Sequence, residues 1–188
     1  MTPSACVRGL PEYKAAAEFN ERFRPKDEVR YDWVTRFAQE KYRDLAAGFK
    51  GVDDKADGLI RYIVGGTGLF ALAGLASAGR MDVWVYVWAG PAVVAAFLAL
   101  VFAWKARTPG SVDTPPPIRD AIRYAEHYRG EGEAEAAFLG AWEQVCVGLR
   151  LTTDRKARLV GRAEGWFVCA VILLLLPPVI AVISGQAG

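Results

Sequence analysis

Histidine is nearly absent from these 188 residues, and cysteine is scarce. His127 is the only imidazole, and Cys6, Cys146 and Cys169 show no CxxC spacing. A Cys/His zinc site therefore lacks its ligands, and a Ser-His-Asp arrangement would have to rely on a single ring. With Cys169 inside an apolar run, an odd number of cysteines gives no disulfide framework, which agrees with polar parts that face a reducing cytoplasm. Positive charge is missing from long stretches. Of the 23 Lys and Arg residues, 12 fall in 1–61, one in 62–104, ten in 105–164 and none beyond. A net charge of +2 with basic and acidic residues interleaved gives no reason to expect a nucleic-acid partner. Residues 1–30 hold Glu12, Glu18, Glu21, Asp27 and Glu28 and no apolar core, so no signal peptide is expected and the first membrane span should direct insertion.

The gaps in charge are filled by apolar residues. Leu59–Ala78, Val83–Ala103 and Trp166–Ile183 are each long enough for a helix to cross a hydrocarbon core about 30 Å thick. The expected fold class is an all-α membrane protein with three transmembrane helices and cytoplasmic amphipathic helices, which excludes a soluble single-domain enzyme. The first run is rich in small residues, among them Gly65, Gly66, Gly68, Ala71, Ala73 and Gly74. Gly66 and Gly74 are the candidates for close helix packing between copies in a homo-oligomer. Gly79 to Asp82 allow only a tight hairpin into the second run. Trp84, Tyr86 and Trp88 at its start and Phe102 and Trp104 at its end suit the two membrane interfaces.

The chain divides into five parts. Residues 1–28 form a polar segment broken by prolines, with a short helical pattern over 13–23, expected to be loosely ordered or docked on a partner. Residues 29–58 read as an amphipathic helix, with Val34, Phe37, Ala38, Tyr42, Leu45 and Phe49 on one face, ending at Gly48 or Gly51 before a charged junction. Residues 59–104 form the transmembrane hairpin. Residues 105–164 are a helical insertion that leaves the membrane through Thr114 to Pro117 and continues into an amphipathic helix over Ala134 to Leu149. Thr152 or Thr153 should cap a further helix. Residues 165–188 make the third span and a short tail. Counting Lys and Arg in the flanking loops gives 22 on one side against Arg80 alone on the other. The N-terminus and the insertion should thus be cytoplasmic, with the hairpin turn and the C-terminus outside.

Few residues suggest chemistry. Arg61, two residues inside the first run, reads either as a charge at a pore mouth or subunit interface, partnered by Asp54 or Asp57, or as a side chain that snorkels to lipid phosphates. Asp53 to Gly58 opens like a calcium loop, but Lys55 occupies a ligand position and Val64 stands where a bidentate Glu is needed. Arg155, Lys156, Arg158 and Arg162 are grouped near the bilayer, where they could bind an anionic signal or simply attract the lipid surface. No catalytic residue, metal ligand or cofactor is expected.

An amphipathic helix runs into Asp54, Lys55 and Ala56, then a glycine-rich span, a tight hairpin, a cytoplasmic insertion, and Lys156, Ala157, Arg158 and Leu159 leading through Ala163 into a last span. This arrangement, over roughly residues 30–184, resembles the small transmembrane effectors of bacterial anti-phage nucleotide signalling, the Pycsar and SLATT-type group. The resemblance implies an oligomeric effector of the bacterial inner membrane that disrupts membrane integrity when a cyclic nucleotide or infection cue arrives. It brings no nucleotide-binding residue onto this chain and leaves residues 1–27 unexplained. The alternative is a non-catalytic structural or anchoring subunit of a larger membrane complex.

Overall fold

The computed structural model describes residues 5–23, 32–77, 83–108 and 138–183, with side chains described except at 5–6, 67–77, 83–86, 88 and 177–183. Every element among these residues is a helix. We number them α1 (Ala5–Arg8), α2 (Pro11–Arg22), α3 (Asp32–Ser77), α4 (Val83–Arg107) and α5 (Leu139–Ile183). The chain forms two compact units, Met1–Gly51 with Pro109–Arg155 and Val52–Thr108 with Lys156–Gly188.

Helix α3 extends over 46 residues, about 69 Å at 1.5 Å per residue. Its length corrects the expected end at Gly48 or Gly51. The reason is an inner stripe that never loses register: Thr35, Ala38, Tyr42, Leu45, Phe49, Val52, Ala56, Leu59 and Ile63 follow one another in alternating steps of three and four, and all are buried or half-buried. Such a heptad stripe keeps one face against its neighbours over many turns. A helical glycine costs about 1 kcal/mol relative to alanine, which packing along this stripe outweighs at Gly48, Gly51 and Gly58. The charged junction is therefore ordinary helix, and the calcium-loop likeness has no loop behind it. Phe37, expected on the inner face, is exposed beside Trp33, and Thr35 takes the inward position.

Helix α5 is also continuous, over 45 residues, and replaces the two helices expected on either side of Thr152. Thr152 and Thr153 are not caps. Their hydroxyls donate to the carbonyls of Gly148 and Leu149, both at 2.8 Å, which satisfies them inside the helix.

In the first unit, α2 docks on the start of α5. Gln144 Nε2 donates to the Tyr13 hydroxyl at 2.8 Å, and Asn20 Nδ2 donates to Gln144 Oε1 at 2.9 Å. The approach is close because Gly140 has no side chain: a Cβ there would lie 2.7 Å from Asn20 Cα. The N-terminal segment thus has its partner within the chain. Tyr42 meets Trp142 edge-on at 5.4 Å, and Lys41 reaches Glu143 at 3.6 Å. Burial pushes the Cys146 thiol up from its ordinary value, with Lys41 opposing and Glu143 reinforcing the shift.

The second unit is a bundle of α3, α4 and α5 packed in layers. Ala56, Ala106 and Val160 form one layer, and Leu59, Ile63, Ala99, Ala103 and Ala163 form the next. A third joins Ala95 and Ala96 to Ala170. Residue numbers rise together in α3 and α5 and fall in α4, so α4 runs antiparallel to both. His127, the 114–117 linker and the first four residues of the helix expected over Ala134 to Leu149 lie outside the described residues.

Candidate functional site

The second unit reverses the packing of a soluble bundle. Its centre is mostly alanine, with Leu59, Ile63 and Val160 among them: Ala92, Ala95, Ala96, Ala99, Ala103 and Ala106 of α4 are all buried, as are Ala56 of α3 and Ala163 and Ala170 of α5. Its outside carries the large side chains. Val87, Val93, Val94 and Phe97 of α4 are exposed, and so are Val168, Val171, Ile172 and Leu175 of α5. In water that arrangement leaves the hydrophobic free energy of the big residues unused. Between helices in lipid it is the favoured one, because small residues let backbones approach while the large ones meet acyl chains. Among the described residues, α4 and α5 are the two helices long and apolar enough to cross a membrane.

At one end of this bundle, α3 holds both neighbours by charge. Lys156 Nζ donates to Asp53 Oδ1 at 2.6 Å, and the lysine side chain is only 6% exposed. Arg107 Nε lies 2.8 Å from Asp57 Oδ1, a close charge contact without an aligned hydrogen bond. Burying an ammonium in this apolar setting requires such a carboxylate. Asp53 and Asp57 lie four residues apart on α3, so one helix face ties to α5 and to α4.

This geometry separates the four candidate cations. Lys156 follows Thr152 and precedes Val160 by one turn each, which places it on the inner face of α5. Arg155, Arg158 and Arg162 are exposed on the outer side. Lys156, expected beside these arginines on the surface, is buried instead. Arg61 is exposed on α3; of the two carboxylates expected as its partners across a subunit interface, Asp57 lies against Arg107 within the chain and Asp54 is exposed. Gly66 continues the inner stripe of α3, yet a Cβ there would meet nothing within 4 Å. The close approach inside the chain is made by alanines, which leaves Gly66 as open space; the surroundings of Gly74 lie outside the described side chains. Among the described residues no group of His, Cys, Asp or Glu is placed to hold a metal ion.

The alanine stripe of α4 was missed by sequence reasoning, although its three and four residue spacing is plain in the chain. The two ion pairs carry no local signal, since residues 103 and 50 apart meet only once the helix register is set. No protein-family model, curated protein or solved structure matches the chain.

Proposed function

We propose that this chain is an oligomeric membrane effector that disrupts membrane integrity when triggered, in nucleotide-signalled anti-phage defence. In this reading α3, α4 and α5 each cross the bacterial inner membrane, the N-terminus and residues 105–164 are cytoplasmic, and the hairpin turn and C-terminus are outside. The observation that carries the reading is the reversed bundle, with alanines within and valine, leucine, isoleucine and phenylalanine on its surface. The 22 to 1 distribution of cations supports the orientation. The room left beside Gly66, where a Cβ would meet no atom within 4 Å, supports close approach of another helix.

A triggered rearrangement needs a ligand with different affinity for two arrangements. Arg155, Arg158 and Arg162 supply exposed charge for a cyclic nucleotide or other anion, while Lys156 and Arg107 hold the resting bundle through Asp53 and Asp57. The test is membrane potential in cells that produce the chain, followed with a potential-sensitive dye during phage infection. The potential should collapse in these cells and hold when Gly66 and Gly74 are both replaced by Leu. If it holds with the native chain as well, the structural-subunit reading takes the effector's place.

A further inference from the structure

The outer surface of the bundle carries a ring that the layers bring to a single level. Ile63 of α3, Ala103 of α4 and Ala163 of α5 pack in the same layer. Beside them each helix exposes one aromatic residue: Tyr62 at 72%, Trp104 at 60% and Trp166 at 40%. Each helix also exposes one cation there, Arg61, Lys105 and Arg162. Arg61 and Arg162 precede their layer residue, and Lys105 follows its own in an antiparallel helix. All three cations are therefore displaced toward the same end of the bundle, within about 5 Å along its axis. Exposed Glu164 is the carboxylate at this level, and Asp57, one turn further, is engaged by Arg107.

The apolar helix beyond this ring has a matching length. From Trp166 to the end of α5 at Ile183 is about 27 Å, and from Trp104 back to Val83 about 33 Å, against a hydrocarbon core of about 30 Å. Amphipathic aromatic rings settle at the boundary between headgroups and acyl chains, and cations just outside it meet lipid phosphates.

We propose that Arg61, Lys105 and Arg162, framed by Tyr62, Trp104 and Trp166, form a girdle that binds anionic phospholipid headgroups at one face of the bilayer. The proposal rests on the membrane reading above and adds the class of lipid. Charge complementarity selects the partner: three outward cations against one carboxylate favour phosphatidylglycerol over a zwitterionic lipid. The aromatics fix the depth at which that selection occurs. Snorkelling arginines would then be binding groups, and the level of the bilayer on all three helices would be set by one ring.

The experiment uses the full-length protein in vesicles of phosphatidylcholine containing brominated phosphatidylglycerol or brominated phosphatidylcholine. Quenching of tryptophan fluorescence gives the relative binding constant of the two lipids at the protein surface. The native chain should prefer the anionic lipid several-fold, and the triple substitution Arg61→Gln, Lys105→Gln, Arg162→Gln should lower the ratio to about 1. Arg61→Lys with Arg162→Lys should retain the preference, and about 1 M salt should abolish it in the native chain without any mutation. Equal quenching by the two lipids, or a preference untouched by the triple substitution, overturns the proposal and leaves the membrane reading standing. A native chain that floats with neither vesicle overturns both.

Discussion

Replacing Ala99 by leucine puts an isobutyl group where α4 has a methyl that is 0% exposed, enclosed by Leu59, Ile63, Ala103 and Ala163. Either the helices separate and lose dispersion contacts along the layer, or the new side chain takes a strained rotamer. Overpacking of this kind costs about 1 to 3 kcal/mol in well-packed cores. In a soluble protein the added apolar surface would offset part of that cost. Here lipid solvates leucine as well outside the bundle as inside, so little is recovered. We expect a loss of about 3 kcal/mol. The control is Val94→Leu, whose parent side chain is 59% exposed on the outer face, with an expected change of less than about 0.5 kcal/mol. Both are measured by unfolding in mixed micelles of a mild detergent with increasing dodecyl sulfate, followed by circular dichroism. If Ala99→Leu and Val94→Leu unfold at the same detergent composition, the alanine layer is not the surface on which the helices pack.

Asp53→Asn should destabilise the bundle more than Lys156→Met, because the first leaves a buried ammonium without the carboxylate at 2.6 Å while the second leaves a carboxylate that still reaches solvent. The double mutant measured in the same micelles should show a coupling of about 1 to 3 kcal/mol, and a coupling near zero would make the pair incidental. The raised Cys146 thiol should react slowly with alkylating reagents at neutral pH. As the folded group keeps its proton above the ordinary value of 9.0, stability contributed by the neutral thiol should decline as pH rises past that value; a flat profile in the native chain compared with Cys146→Ala contradicts this. Burial also makes Cys146 a poor reporter of sidedness. A cysteine at exposed Lys50, in a chain lacking Cys6, Cys146 and Cys169, should escape an impermeant thiol reagent in intact cells while one at Gly188 reacts, and the reverse pattern would invert the topology.

The helical class and the membrane-length runs of α4 and α5 were legible in the sequence because both follow from composition and length alone. Helix ends were not. Gly48 and Gly51 carry terminator chemistry, outweighed by the stripe of nine buried or half-buried positions along α3 rather than by any one residue, while Thr152 carries cap chemistry that its bond to the Gly148 carbonyl satisfies inside α5. Phe37 illustrates the converse: its spacing fits the inner face, yet Thr35 holds that face one half-turn away. At the site, the identity of the cations was visible but their division was not. Lys156 differs from Arg155 and Arg158 only by its angle around α5, which has meaning once Asp53 is known to face it. The glycines of α3 are visible in the sequence, but whether a neighbour comes close at Gly66 depends on how the helices are placed, and within the chain none meets a Cβ there within 4 Å.

If assembled copies open the membrane, as proposed, proteoliposomes should release an encapsulated dye. Full-length protein reconstituted in anionic vesicles is titrated with cyclic mono- and dinucleotides while chemical crosslinking follows its oligomers. Opening by assembled copies predicts release with one of these signals, weakened when Arg155, Arg158 and Arg162 become Gln, and abolished together with the oligomers by Gly66→Leu and Gly74→Leu. Crosslinked oligomers and release that survive the double leucine substitution, or vesicles that stay sealed through the whole titration, would contradict it.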